Sequence, residues 1–216
     1  RRYDQGFLTT IGTDILFLKA LLQRRASYES MAKWLEYCDE RISTDLIVNS
    51  EIPTHDELVD LLTNGRPGGA IQSALQLPML AGTGKDIDGI NIKYGNDDTA
   101  ELHHIFPKKW CSDNSYGDLK LYLDRNEAGR DWVNGICNLM PLSRKTNNNW
   151  KTKYPTTYFD EKHITFESAR GIFETVFIGR NEFDFLTGGP EKIPEFWKSR
   201  AAKIADKLIS LTSLTV

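Results

Sequence analysis

The sequence predicts a mainly α fold, a helical bundle in which one small strand–loop–strand–helix element is embedded. Three observations predict it. Apolar residues recur at helical spacing near both ends of the chain, a stretch rich in Gly, Asp and Asn breaks that order in the middle, and two short β-compatible runs follow it. The second of these runs leads into a polar segment that opens with a good helix cap.

Along the chain, Phe7, Leu8, Ile11, Ile15, Leu18 and Leu22 form one helical stripe, and Met31, Trp34, Leu35, Cys38 and Ile42 form a second. Thr54 and Glu57 have the spacing of a capping box ahead of Leu58, Leu61 and Leu62. Pro67 suits the first turn of another helix carrying Ile71, Leu75 and Leu80. From Gly82 to Asp98 turn-forming residues surround an alternation of Ile90, Ile92 and Tyr94, which predicts loops around a short strand. Glu101 to Pro107 reads as a strand ending in a turn, and Gly135 to Leu142 as its apolar partner. Ser143 then caps a short helix containing Asn147 and Trp150, which Pro155 is expected to stop. Phe166, Ala169, Phe173 and Phe177 form a further stripe, and Trp197, Ala201, Ile204, Leu208 and Leu211 another, on either side of a Gly188-Gly189-Pro190 break. The expected division is an N-terminal helical part over 1–81, a core over 82–160 and C-terminal helices over 161–216, packed as one unit. Starting without Met and leading straight into a helical pattern, the sequence reads as the C-terminal portion of a longer polypeptide.

With 216 residues, 40% hydrophobic and 26% charged, the chain can bury a substantial core. It has no apolar run of about 18 residues and no signal-peptide pattern, so no membrane association and a cytoplasmic location are expected. Cys38, Cys111 and Cys137 are odd in number and lack CxxC spacing, which excludes a disulfide framework and a four-cysteine zinc site. The net charge of −3 argues against a protein that coats nucleic acid through bulk charge. Yet Leu142 to Phe159 carries Arg144, Lys145, Lys151 and Lys153 with no acidic residue, a confined basic stretch suited to gripping phosphates at one place.

Two segments carry chemistry. In Glu101-Leu-His-His-Ile-Phe-Pro107, adjacent His103 and His104 on a strand point to opposite faces, so one can bind a metal while the other faces a substrate. In Asn138-Leu-Met-Pro-Leu-Ser-Arg-Lys-Thr-Asn147, a strand Asn is followed nine positions on by a helical Asn. Asn138 can bond backbone groups of the intervening loop or serve only as a turn residue. Asn147 can offer its amide oxygen to a hard cation such as Mg²⁺ or lie on a polar helix surface.

Together these segments resemble the signature of HNH (ββα-metal) nucleases. More narrowly, His-His-Ile-Phe-Pro-Lys-Lys with Asn-Leu-Met-Pro-Leu-Ser-Arg-Lys-Thr-Asn, followed by Lys151, Lys153 and Pro155, is similar to the C-terminal nuclease domain of GmrSD-type modification-dependent restriction enzymes. The resemblance covers roughly Glu101 to Pro155. It implies that the embedded element is of the ββα-metal type, that His103 and Asn147 are metal ligands, that His104 is the general base and that Asn138 orders the loop. It implies a metal-dependent endonuclease that nicks double-stranded, possibly modified DNA in bacterial anti-phage defence, with Mg²⁺ or Mn²⁺ as cofactor. An N-terminal NTPase domain of the same protein is the implied partner. Where many HNH proteins have a zinc-binding Cys pair, this chain has Ser143 and Thr146, so no structural zinc is expected.

The long stretch between His104 and Asn138, including Asp118 to Trp132, reads as packing in preference to a DNA contact. Isolated His55 and His163 read as structural or surface residues, and Trp34 and Trp197 as core. Gly82-Thr-Gly-Lys85 lacks the rest of a phosphate-loop pattern and is rejected as a nucleotide site. Two alternative functions stay open at this level: an RNA-cleaving HNH nuclease, and a non-catalytic helical module for DNA binding or protein docking.

Overall fold

Thr54 sits in extended backbone and accepts the Glu57 N–H, while the Glu57 carboxylate accepts the Thr54 N–H at 2.8 Å, which starts helix α1 (His55–Thr63) with both donors satisfied. The computed structural model describes residues 18, 19, 22, 52–65, 69–82, 84–92, 100–124 and 129–213. Of the two N-terminal stripes only Leu18 and Leu22 fall within these, both helical and buried. The rest of those stripes, Pro67 and Tyr94 lie outside the described residues.

Helix α2 (Gly69–Gly82) follows, and then strand β1 (Glu101–His104). Helices α3 (Lys108–Asp113) and α4 (Gly117–Leu123) come next. Two 3-10 turns, Trp132–Asn134 and Ile136–Asn138, lead into strand β2 (Leu139–Leu142) and helix α5 (Arg144–Trp150). Helices α6 (Pro155–Lys162), α7 (Phe166–Thr175), α8 (Arg180–Leu186) and α9 (Ile193–Thr212) complete the described chain. The architecture is mainly α with one two-stranded antiparallel sheet, β1 against β2. Among the described residues no helix is long and apolar enough to cross a membrane.

Helix α9 organises the bundle. Ile193, Phe196, Trp197, Ala201, Ile204, Ala205 and Leu208 line its buried side. It packs chiefly on α1, and also on α8, α2 and the Ile136–Asn138 turn. Each large side chain so covered stabilises the fold by about 1.5–3 kcal/mol. Trp197 stacks on Trp132 at 5.9 Å and meets the edge of Phe106 at 6.1 Å, tying the long helix to the segments that flank the sheet.

The register of the sheet explains how Pro141 is tolerated within a strand. Glu101 pairs with Leu142, Leu102 with Pro141 and His103 with Met140. Beyond the ladder the Ile105 N–H donates to the Asn138 carbonyl at 2.8 Å. Hydrogen-bonded pairs alternate along an antiparallel ladder, so Leu102 and Pro141 form a non-bonded pair and the missing N–H costs nothing.

Three local expectations change. Gly135 to Leu142 is not one strand, because the carbonyls of Ile136 and Cys137 turn away from the sheet toward Arg200. Glu101 to Pro107 is strand only to His104, and Pro107 precedes α3. Pro155 does not stop α5. That helix ends at Trp150, where Lys151 takes a φ of 53°, and Pro155 instead opens α6, where a missing N–H is harmless.

Arg200 lies wholly buried on α9. Its Nε donates to the Val176 carbonyl at 2.9 Å and its Nη1 to the Cys137 carbonyl at 2.6 Å. Burial pushes its pKa down to about 10, so it remains charged at neutral pH. Arg200→Ala strands these carbonyls and opens a cavity, and should lower the free energy of unfolding by at least about 3 kcal/mol, read from urea denaturation.

Candidate active site

Period-two alternation along β1 places Glu101 and His103 on one face and His104 on the other. The first face meets α5. That helix is held in place by Asp86, a fully buried residue whose Oδ2 accepts the Ser143 N–H at 3.1 Å. The other oxygen of Asp86 accepts the N–H groups of Asp88 at 3.1 Å and Ile90 at 2.9 Å, so the loop over 84–92 winds around one carboxylate. Ser143 caps α5, accepting the Thr146 N–H at 3.2 Å, and its hydroxyl also bonds Thr146 Oγ1 at 3.1 Å. Tyr158 donates to Asp88 at 2.9 Å and stacks on Trp150 at 4.9 Å, while Trp150 packs on His103 at 4.6 Å.

His103 is buried, and its Nδ1 lies 2.6 Å from Oδ1 of Asn147. Asn147 Nδ2 donates to Glu101 Oε2 at 2.5 Å. A carboxylate only accepts, so the amide nitrogen must face Glu101 and the amide oxygen must face the ring. Nδ1 therefore carries the imidazole proton in this arrangement, and Nε2 is buried without a hydrogen-bond partner. Burial, against the counter-effect of the Asn147 hydrogen bond, brings the His103 pKa down to about 4. The ring is neutral at physiological pH, the state a cation requires. The Asn147 hydrogen bond first, and then Arg144, hold the Glu101 carboxyl below the usual carboxylate range.

This donor set fits a divalent ion. An imidazole nitrogen and an amide oxygen converge from two elements, the ring is neutral and a carboxylate adjoins the amide. Among the described residues no group of three or more His, Cys, Asp or Glu is placed to hold a metal. An ion on His103 and Asn147 would take its remaining ligands from water.

On the opposite face, His104 Nε2 lies 3.3 Å from Asn134 Oδ1. Below the pair sits Asn138, fully buried. Its Oδ1 accepts the Phe106 N–H at 3.0 Å, and its Nδ2 donates to the carbonyls of Phe106 at 3.0 Å and Val133 at 2.8 Å. One amide thus joins the exit of β1 to the turn before β2.

The four basic residues differ in their surroundings. Arg144 Nε bonds Glu101 Oε1 at 3.0 Å, and Lys153 pairs with Glu161. Lys145, in the first turn of α5, and Lys151, just beyond its end, are exposed. Trp132, Trp150 and Trp197 are buried and Trp110 packs against the core, while Tyr116 and Leu121 stand exposed. His55 faces Asp206 at 3.5 Å, and His163 forms the left-handed cap of α6.

Sequence reasoning missed Glu101, Asp131 and Asn134. Glu101 had a signal, since it stands two positions before His103 on the same strand face. Asn134 and Asp131 had none, because only the folded turn carries them to His104.

Residues 79–184 match the family model described as the C-terminal domain of GmrSD restriction endonucleases, in agreement with the resemblance carried by the motif. The matched stretch runs from within α2 into α8 and takes in β1, β2 and α5. No curated protein and no solved structure matches the chain.

The neutral burial of His103 has a pH consequence that is measured with divalent ions chelated by EDTA. Its folded pKa lies below the unfolded value near 6.5, so the unfolded chain binds the extra proton between them. Stability is intact above about pH 6.5 and falls by roughly 3 kcal/mol as pH drops toward 4. Urea titrations across this range should show the loss, and His103→Phe should flatten it.

Proposed function

We propose that the segment matching the C-terminal domain of GmrSD restriction endonucleases is a divalent-metal-dependent HNH-type nuclease that nicks DNA by phosphodiester hydrolysis. The observation that carries the reading is the approach of His103 Nδ1 to Asn147 Oδ1 at 2.6 Å, from a strand and the helix beside it, with a second imidazole next in sequence. His103 and Asn147 would hold Mg²⁺ or Mn²⁺, with the ring proton transferred from Nδ1 to Nε2 so that Nδ1 could offer its lone pair. When bound, such an ion supplies charge neutralisation at the phosphate and at the departing 3′-oxygen.

The protein's own groups do the rest. His104 takes a proton from the attacking water as a neutral base. Glu101 holds the Asn147 amide so that its oxygen, and not its nitrogen, is presented beside His103. Asn138 keeps the exit of β1 and the turn before β2 from separating, which preserves the spacing between His104 and its surroundings. Lys145 and Lys151 contact the phosphate backbone, and Arg144 and Lys153 join them by exchanging Glu101 and Glu161 for phosphate. Such contacts position a duplex without reading its sequence.

In this reading residues 82–160 form the nuclease core, between an N-terminal helical part over 1–81 and C-terminal helices over 161–216 that pack on the core. The protein acts on double-stranded, possibly modified DNA in the bacterial cytoplasm, in restriction directed at phage, joined to an N-terminal NTPase domain. One active centre cuts one strand, so a nick is the product of a single event.

The test is nicking of supercoiled plasmid in Mn²⁺ or Mg²⁺, with a matched RNA substrate assayed in parallel. His104→Ala should lower the rate by roughly 10²- to 10⁴-fold with folding unchanged. Chelation by EDTA should abolish cleavage and re-addition of the ion restore it, whereas cleavage that persists in EDTA would refute the metal-dependent mechanism.

A further inference from the structure

We propose that Asn134, anchored by Asp131, is a positioning residue that fixes the orientation and tautomer of His104; the inference rests on His104 being the general base.

Asn134 Nδ2 donates to both carboxylate oxygens of Asp131, at 3.0 and 2.8 Å. A carboxylate accepts and does not donate, so the amide nitrogen belongs on that side and the amide oxygen faces outward. That oxygen lies 3.3 Å from His104 Nε2, and an oxygen without a proton can only accept. Nε2 therefore carries the ring proton, which puts the imidazole lone pair on Nδ1.

The anchor is itself rigidly held. Asp131 also accepts the backbone N–H of Asn134 at 3.3 Å, capping the 3-10 turn. The backbone of Asp131 is tied to the end of α1, its N–H donating to Asn64 Oδ1 at 3.3 Å and its carbonyl accepting the Gly65 N–H at 3.1 Å. Inside the same turn, the Val133 carbonyl is held by Asn138 at 2.8 Å. The next residue, Gly135, is pressed so closely on α1 that a Cβ there would stand 2.9 Å from the Leu62 carbonyl oxygen. An amide pinned this way cannot rotate to present its nitrogen without breaking bonds on both sides.

The two imidazoles are thus addressed alike. Glu101, through Asn147, sets His103, and Asp131, through Asn134, sets His104. In each case a carboxylate decides which end of an amide the ring meets.

The experiment uses the full chain with Mn²⁺ and supercoiled plasmid. Asn134→Ala should lower kcat roughly 10- to 100-fold, the scale on which loss of an orienting partner acts on a functional imidazole. The KM for plasmid and the Mn²⁺ dependence should stay within about twofold, as expected when binding is untouched. In a His104→Ala background, Asn134→Ala should change the residual rate by less than about twofold, because its effect is transmitted through the missing ring. The ring ¹⁵N resonances of His104 should move in Asn134→Ala while those of His103 stay. The exchange variant, Asp131→Asn with Asn134→Asp, keeps an acceptor toward Nε2 and a bond between the two positions, and should recover kcat relative to Asn134→Asp alone.

A wild-type kcat in Asn134→Ala, with His104→Ala inactive, overturns the positioning role and leaves the base assignment standing. An equal loss from Asn134→Ala with and without His104 also overturns it, since the residue would then serve the fold alone. A wild-type rate in His104→Ala overturns both readings.

Discussion

The side-chain amide of Asn138 is the contact on which the arrangement around the sheet depends. β1 and β2 have four residues each, and an isolated pair of strands is marginal in water. Their ladder alone cannot set where β1 ends or how the chain returns. Asn138 does so with both ends of its amide, closing the Phe106 N–H and carbonyl and capturing the Val133 carbonyl. Each such bond adds about 1 kcal/mol net, whereas leaving a buried partner unmet costs about 1–3 kcal/mol. The arrangement is therefore enforced mainly by what its loss would expose.

Around that clamp, two buried charged groups are closely matched. Asp86 is surrounded by three backbone N–H groups, and Arg200 by backbone carbonyls. They fix the segments on either side of β2, Arg200 at the turn before it and Asp86 at the start of α5 after it. The buried Nε2 of His103 has no hydrogen-bond partner, as is also true of the Gln76 and Trp197 side-chain nitrogens, and it belongs to the ring that faces Asn147. A buried neutral imidazole with one unmet nitrogen is a local sacrifice of stability, of the kind concentrated at working sites.

Much of the helical scaffold was readable because its signals are local. The Thr54 and Glu57 capping box, the Ser143 cap and the apolar stripe of α9 depend on neighbours within one or two turns, as does the α7 stripe through Phe173, whereas Phe177 stands beyond the end of that helix at a φ of 62°. Gly135 to Leu142 misled for the opposite reason. Its apolar composition suits a strand, but Arg200, distant in sequence, draws the carbonyls of Ile136 and Cys137 out of any ladder. Pro155 was ambiguous because the same missing N–H that ends one helix suits the first turn of the next.

The candidate site divides in the same way. Residue type and spacing made His103, His104, Asn138 and Asn147 candidates, since imidazoles on alternate faces of a strand and amides nine positions apart have chemical meaning before any fold is known, and the resemblance to the HNH signature gave each a role. Only the tertiary structure decided how those groups are oriented. Which nitrogen of each ring holds its proton follows from Glu101 behind Asn147 and from Asp131 behind Asn134. Hydrogen-bond direction is a property of groups brought together across the fold, and no local pattern in the chain encodes it.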